Sequence, residues 1–333
     1  MSPRPPQQAL APIEPAMQAV LAACERVTRQ QARNFYYGLK LTPEPQRSAM
    51  YVVYAWMRAA DDLADAAGFA PEERVRRIAQ FRAATEQALQ GHAPDADPVW
   101  RGLAWVAGRH QLSAQDFHDM LDGQLADVST PSYETWDELR GFCYRVASTV
   151  GLVCIRIWGY SGEEAPALAI DRGIAFQLTN ILRDYREDFD LGRVYLPADE
   201  FRRMELTPLD LRHWRKPDLC SEFIRAQCER AEQFYRRSAP LDALITPGCL
   251  PTLWAMTEIY HGLLQKIHRR PVSISGDRRV RLSGVRKAWI AYRAQRMARD
   301  LRPVGRSSGA FAAPAGSGAA PSVAEARPQE AKA

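Results

Sequence analysis

Gln177-Leu-Thr-Asn-Ile-Leu-Arg-Asp-Tyr-Arg-Glu-Asp188 is the stretch on which the reading of this chain turns. An α-helix advances about 100° per residue, so Gln177, Asn180, Asp184 and Asp188 fall within an arc of roughly 80°. Leu178, Ile181, Leu182 and Tyr185 occupy the neighbouring arc. The result is a narrow polar stripe edged by apolar side chains, whereas a solvated helix face is broad and mixed in sign.

A second stretch has the same character. In Tyr54-Ala-Trp-Met-Arg-Ala-Ala-Asp-Asp-Leu-Ala-Asp65, the residues Tyr54, Arg58, Asp61 and Asp65 share an arc of roughly 60°, with Asp62 beside it. Carboxylates stacked four residues apart repel by a few tenths of a kcal/mol per pair. A cation reverses that sign. Magnesium takes a few carboxylate oxygens, keeps water and completes its octahedron with substrate phosphate. Two facing Asp-x-x-x-Asp helices suit several such ions around one diphosphate, with Arg58, Arg183 and Arg193 neutralising the remaining charge through forked hydrogen bonds. Diphosphate then leaves easily, and apolar helix walls with aromatic faces shelter the allylic cation left behind. One such segment alone is weak, because most are surface charge. Two, each with an arginine at hand and one with an Asn/Gln stripe, point to diphosphate chemistry.

The rest of the chain reads as helices in succession. Period-3.6 segments cover 16–32, 44–67, 71–90, 97–109, 113–128, 132–159, 162–188, 218–238, 250–269 and 284–301. Sustained period-two runs and Asn-Gly or Asp-Gly hairpin turns are absent. Pro71 with Glu72 and Glu73 opens one helix, Gly91 closes it, and Ser161 precedes the long central one. Residues 1–15 carry five prolines and read as a flexible arm. Residues 303–333 are Ala/Gly/Pro/Ser-rich and read as a disordered tail. The expectation is one all-α domain over 16–302.

Composition excludes several classes. With 46% hydrophobic and 25% charged residues, the 333-residue chain is an ordinary globular protein able to bury a sizeable core. A formal charge of +5, without a basic run interleaved with aromatics, does not call for nucleic acid. The six cysteines show no C-x-x-C pair and no zinc spacing. They fit a reducing compartment. No signal peptide and no membrane-spanning run is visible, so the chain reads as cytoplasmic. The histidines lack metal spacing. The basic stretch 269–286 suits either solvent, phosphate or an anionic membrane surface.

The segment 177–197, which continues Phe-Asp-Leu-Gly-Arg-Val-Tyr-Leu-Pro, closely resembles the second signature of the squalene/phytoene synthase family. Tyr54–Asp65 looks like its first aspartate motif. Phe142-Cys-Tyr-Arg-Val-Ala-Ser-Thr-Val-Gly151 resembles its remaining signature, and Tyr260-His-Gly-Leu-Leu-Gln-Lys-Ile and Arg278-Arg-Val-Arg-Leu-Ser resemble its C-terminal region. The match runs over about 30–300 in the expected order. The resemblance implies an all-α isoprenoid-synthase helical barrel with a central cavity. It implies head-to-head condensation of two prenyl diphosphates through a cyclopropylcarbinyl diphosphate. Asp61, Asp65, Asp184 and Asp188 would carry Mg2+ (or Mn2+), assisted by Asn180. Arg58, Arg183 and Arg193 would hold diphosphate. Tyr54, Gln177 and Tyr260 would line the reacting centre, Phe35 would belong to the flap over one substrate, and Arg279 matches a further substrate-binding position.

Two departures stand out. Ala32 and Asn34 replace flap serines, and Asn34 can still donate to phosphate. Phe142 replaces a tyrosine near the departing diphosphate, and Tyr144, about 200° further round, does not substitute for it. Release of the cyclopropyl diphosphate is therefore expected. Farnesyl (C15) substrate, giving presqualene diphosphate or squalene, is the leading expectation, from the Val-Ala-Ser-Thr-Val-Gly stretch and the chain length. Geranylgeranyl (C20) substrate, giving phytoene, is the alternative. NADPH enters only with a reductive finish to squalene. A terpene cyclase using the same metal logic, or a non-catalytic paralogue, fits the tandem motifs and intact aspartates less well. An apolar product adds peripheral membrane contact to the expectations.

Overall fold

Apolar residues recurring every three to four positions give helices along the whole chain. The computed structural model describes residues 13–31, 36, 38–64, 71–129 and 132–301. The helices are α1 (Pro15–Gln31), α2 (Gln46–Ala64), α3 (Pro71–Leu89), α4 (Pro98–Ala107), α5 (Ala114–Ser129), α6 (Trp136–Cys143), α7 (Thr149–Trp158), α8 (Ala165–Asp190), α9 (Ala198–Arg203), α10 (Pro208–His213), α11 (Pro217–Ser238), α12 (Leu241–Leu244), α13 (Leu250–Arg269) and α14 (Gly284–Asp300). Among the described residues there is no strand, only isolated bridges at Ser132–Val194 and Tyr160–Ile245. The all-α expectation holds. The expected arm and tail lie almost wholly outside the described residues.

Nine of the ten expected helices are present with ends shifted by a few residues, and the tenth, 132–159, is broken in two. The central helix starts at Ala165 rather than at 162, because Gly162 has a φ of +80° and Pro166 suits a first turn. Gly91, also at positive φ, follows the end of α3 as expected. Residues 132–159 do not form one regular helix. A π-helical turn over Tyr144–Ser148 separates α6 from α7. It is wedged between α5 and α8 at two glycines. A Cβ on Gly173 would lie 2.5 Å from Ser148 Cα, and one on Gly123 would lie 2.9 Å from Arg145 Cβ. Single-turn π segments of this kind recur at functional sites.

Two large hydrophobic clusters make most of the core, and a small third one of Ala255, Ile290 and Ala294 joins α13 to α14. The first gathers α1, α2, α4, part of α5 and α7, with Trp56 and Leu103 fully buried. The second gathers α6, α8, α11 and α13, with Phe142, Leu182 and Phe223 buried. Helix α8 is central to the second cluster, packing against α7, α11, α13 and the π turn. Arg172 fixes its N-terminal half. This arginine is 3% exposed and donates to Ser238 Oγ and Ser238 O, each at 2.9 Å, and to Asp242 at 3.1 Å. A buried charge is tolerated only when paired and hydrogen-bonded in this way. All six cysteines are buried and free. Among the described residues no helix is long and apolar enough to cross a membrane.

Candidate active site

Where the two hydrophobic clusters meet, a cavity of about 400 Å³ opens between α2, α5, the α6–α7 segment and α8. Its polar wall contains Asp61, Gln124, Gln177, Asn180, Arg183, Asp184, Asp188 and Arg193. Its apolar wall includes Met57, Met120, Phe142, Val146, Ile181 and Tyr195. The polar stripe read from α8 thus faces a cavity along its length, and Asp61 of α2 faces the same space. Asp65 and Phe35 lie outside the described residues.

Asp188 stands in the last turn of α8. A carboxylate there opposes the helix dipole, at a cost of about 0.3–1 kcal/mol. Its placement therefore does nothing for helix stability and suits a cation.

The carboxylates are held differently. Asp184 is gripped by two guanidinium groups. Arg183 forks onto it, Nε to Oδ1 at 2.7 Å and Nη2 to Oδ2 at 2.5 Å, and Arg279 forks onto the same two oxygens. Burial raises the Asp184 pKa, but the hydrogen bonds from Arg183 and Arg279 outweigh it and hold the carboxyl below its ordinary range. Burial likewise lowers the Arg183 pKa, and Asp184 with Tyr260 more than restores it. Asp61 instead accepts from Gln124 Nε2 at 2.7 Å.

Arg193 reaches the cavity through the end of α8. Arg193 N donates to Asp188 O at 2.8 Å and Gly192 N to Phe189 O at 2.9 Å, with Gly192 at a φ of +81°. This is a Schellman stop, and Asp-Leu-Gly-Arg is its sequence signal. The chain then passes Tyr195, which stacks on Phe142 with centroids 5.3 Å apart, while Tyr133 lies 5.2 Å from Phe142. Phe142 therefore contributes an apolar ring to the cavity wall. The hydroxyl of Tyr144 points to Asp119, 3.4 Å away, and is not in that wall.

Not every expected site residue meets in this cavity. Tyr260 and Arg279 line a neighbouring cavity of about 570 Å³ with Ala255, Met256, Ile259 and Leu282. Arg183 lines both, so the Arg183–Asp184–Arg279 cluster forms the partition. Arg58 pairs with Asp62 on its own helix. Tyr54 lies close enough to Asp61 for the carboxylate, after burial, to raise its pKa. Gln124, Tyr195 and Met120 were missed. For Gln124 the available signal was its place in Asp122-Gly-Gln-Leu-Ala-Asp127; for Tyr195 it was the Arg-Val-Tyr-Leu-Pro run.

The donor set fits a hard divalent cation. Three carboxylates from two helices line one cavity, and Asn180 Oδ1 and Gln124 Oε1 are buried there without a hydrogen-bond partner. Among the described residues no three acidic, histidine or cysteine side chains converge into a closed cage. Magnesium is bound in this open manner, by one or two carboxylates with substrate phosphate supplying the rest.

Comparison with known proteins bears on this arrangement. The squalene/phytoene synthase family profile matches residues 28–286. A phytoene synthase of Mycobacterium tuberculosis is 36% identical over 273 residues, covering 81% of this chain and 88% of that one. A phytoene synthase of Arthrospira platensis is 34% identical over 272 residues, covering 77% and 86%. The structure of a dehydrosqualene synthase in complex with ligand superposes with a TM-score of 0.72 at 27% identity, covering 85% of this chain and 98% of that one. A squalene synthase from Alicyclobacillus acidocaldarius gives 0.72 at 26%, covering 78% and 96%.

Proposed function

The chain belongs to the squalene/phytoene synthase family, and from that premise we propose which substrate it takes, which side chains act and where the reaction stops. It is a prenyltransferase of the all-α isoprenoid-synthase fold that joins two prenyl diphosphates head to head. The observation that carries the assignment of roles is the shared cavity. Asp61 of α2 and Asp184 and Asp188 of α8 line it together, with Arg183 and Arg193 beside them.

Asp61, Asp184, Asp188 and Asn180, with Asp65, would hold Mg2+, and Mn2+ would serve as well. When bound, the metal supplies positive charge that makes diphosphate a better leaving group. Arg183 and Arg193 orient the diphosphate by forked hydrogen bonds. Arg279 releases Asp184 and turns to phosphate as substrate arrives. The C–O bond of one substrate breaks, and its allylic carbon is attacked by the double bond of the other. The cyclopropane closes with loss of one proton, leaving a cyclopropylcarbinyl diphosphate and one free diphosphate. Met57, Met120, Phe142 and Ile181 keep water from the cation. Gln177 and Tyr54 stay close to the reacting centre. Tyr260, stacked on Phe176 at 4.7 Å, offers an aromatic face in the adjoining cavity.

Two finer points complete the reading. Phe142 has no hydroxyl to offer the second departing diphosphate, so the cyclopropyl diphosphate is the released product. For chain length, the more similar relatives are phytoene synthases, which favours C20 substrate over the C15 reading taken from the sequence. The C15 reading retains the support of the solved dehydrosqualene and squalene synthases at lower identity. The test is competition between C15 and C20 diphosphates with Mg2+, each with and without NADPH, followed by extraction. Preferential consumption of C20 with a cyclopropyl diphosphate product, indifferent to NADPH, is expected. A preference for C15 overturns the chain-length reading, and a rearranged hydrocarbon as sole product overturns the role of Phe142.

A further inference from the structure

Three amide side chains line the aspartate-bordered cavity: Gln177 and Asn180 from α8, and Gln124 from α5. Gln124 reaches across to α2. Its Nε2 donates to Asp61 Oδ1 at 2.7 Å and, more weakly, to Met57 O at 3.4 Å. Both acceptors belong to one helix, four residues apart, and so lie on a single face. The amide takes only this orientation, because turning it over would set its oxygen against a carboxylate, acceptor to acceptor. Its Oε1 is buried and has no hydrogen-bond donor among the described residues. An unmade buried acceptor costs the fold, and a leucine or methionine would fill the same volume without that cost. Packing therefore does not account for a glutamine here.

The position of Gln124 is fixed from behind. Its neighbour Gly123 lies so close under the π turn that a Cβ there would meet Arg145 Cβ and Val146 Cγ1, each at 2.9 Å. The π turn thus seats this part of α5, and Val146 itself lines the cavity. A side chain placed in this way sets the rotamer of the carboxylate it holds before any ligand arrives. Such outer partners orient a metal ligand and tune what it binds.

How a carboxylate is held decides which cation it suits. Ca2+ takes about six to eight oxygens in a flexible shell and accepts a carboxylate through both of its oxygens. Mg2+ demands a near-ideal octahedron, which the narrow bite of a two-oxygen carboxylate distorts, and it keeps several waters. With Oδ1 engaged by the amide, Asp61 is biased toward ligation through one oxygen. The buried Oε1 of Gln124 is then placed to accept a hydrogen bond from water carried by the ion. We propose that Gln124 is a positioning residue that acts through Asp61, holding it as a one-oxygen ligand so that the site favours Mg2+ or Mn2+ over Ca2+. This inference rests on the cation-binding role proposed for Asp61, and the test separates the two.

The experiment is Mn2+ titration of the full chain without prenyl diphosphate, read by electron paramagnetic resonance of the free ion and repeated against Ca2+. Wild type binds Mn2+ and keeps it against an excess of about tenfold Ca2+. Gln124→Leu weakens Mn2+ binding by about tenfold or more, the usual cost of losing an outer partner of a metal ligand, and lets Ca2+ compete. Gln124→Met, unbranched like glutamine, does the same, which separates the lost amide from a packing fault. In an Asp61→Asn background, Gln124→Leu changes Mn2+ affinity by less than about twofold, because the group it acts through is gone. The proposal is overturned if either Gln124 variant binds Mn2+ like wild type, or if the Gln124 and Asp61 substitutions weaken binding independently. It is also overturned if wild type yields Mn2+ to Ca2+, a result that stands even where a variant fails to fold. A wild type that binds no Mn2+ overturns the cation role of Asp61 as well.

Discussion

Helices α2 and α8 carry the same chemical stripe, yet they hold it in different ways. On α8, Asp184 is clamped by Arg183 and Arg279, and the helix is fixed at its other end by the buried Arg172 cluster. On α2, Asp61 accepts from Gln124, while Arg58 pairs with Asp62. On one helix two guanidinium groups grip the carboxylate, and on the other a neutral amide donates to it. The difference teaches that a shared motif can be held by charge on one helix and by a neutral donor on the other. Each half then fails differently when altered.

The largest expected effect is on rate. Asp61→Asn and Asp184→Asn should each lower kcat/KM by roughly 10²–10³-fold, the usual cost of removing one electrostatic group from a reacting site. Steady-state diphosphate release checks this, and a variant within a few-fold of wild type removes that residue from the metal set. Stability should then separate the two. Asp184→Asn leaves Arg183 largely buried without its counter-ion and should cost about 2 kcal/mol in denaturant unfolding. Asp61 accepts from a neutral amide, and asparagine keeps an acceptor oxygen for it, so Asp61→Asn should cost less than about 1 kcal/mol. Equal losses in both variants would erase the contrast between the helices.

A smaller effect should appear in acid. The Asp184 carboxyl is held below its ordinary value of 3.8 in the folded protein. Its contribution is therefore fully present above pH about 4 and is lost as pH falls through the lowered native value. Asp184→Asn should remove this part of the acid dependence of the melting temperature, and an unchanged acid limb would contradict the clamp. Smallest in energy, but decisive for product, is Phe142→Tyr. The added hydroxyl borders the cavity, so stability should change by less than about 1.5 kcal/mol. The released material should move from cyclopropyl diphosphate toward the rearranged hydrocarbon, as product extraction would reveal.

Much of this was legible in the sequence because it depends on local periodicity. Gln177, Asn180, Asp184 and Asp188 share a face through helix geometry alone, and α8 does turn that face to a cavity. Gly91 and the run of helices follow from the same kind of local rule. What stayed hidden depends on tertiary approach. The π turn at Tyr144–Ser148 arises because Gly123 and Gly173 let neighbouring helices press in, and no spacing rule reveals which glycines meet which backbone. Gln124 enters the site across a helix pair, 63 residues from the aspartate it contacts. Arg279 was expected at a substrate, and its grip on Asp184 depends on a loop 95 residues further along the chain. The division of the space into two cavities at Arg183 likewise follows from side-chain placement, not pattern.

The most direct test of the central claim is label mixing in the product. An equimolar mixture of deuterated and unlabelled prenyl diphosphate, incubated with the enzyme and Mg2+, should give products of twice the substrate's carbon number, with labels combined in a binomial pattern. Products of single chain length only, cyclic or hydrolysed, would contradict the reading of one cavity that joins two prenyl diphosphates.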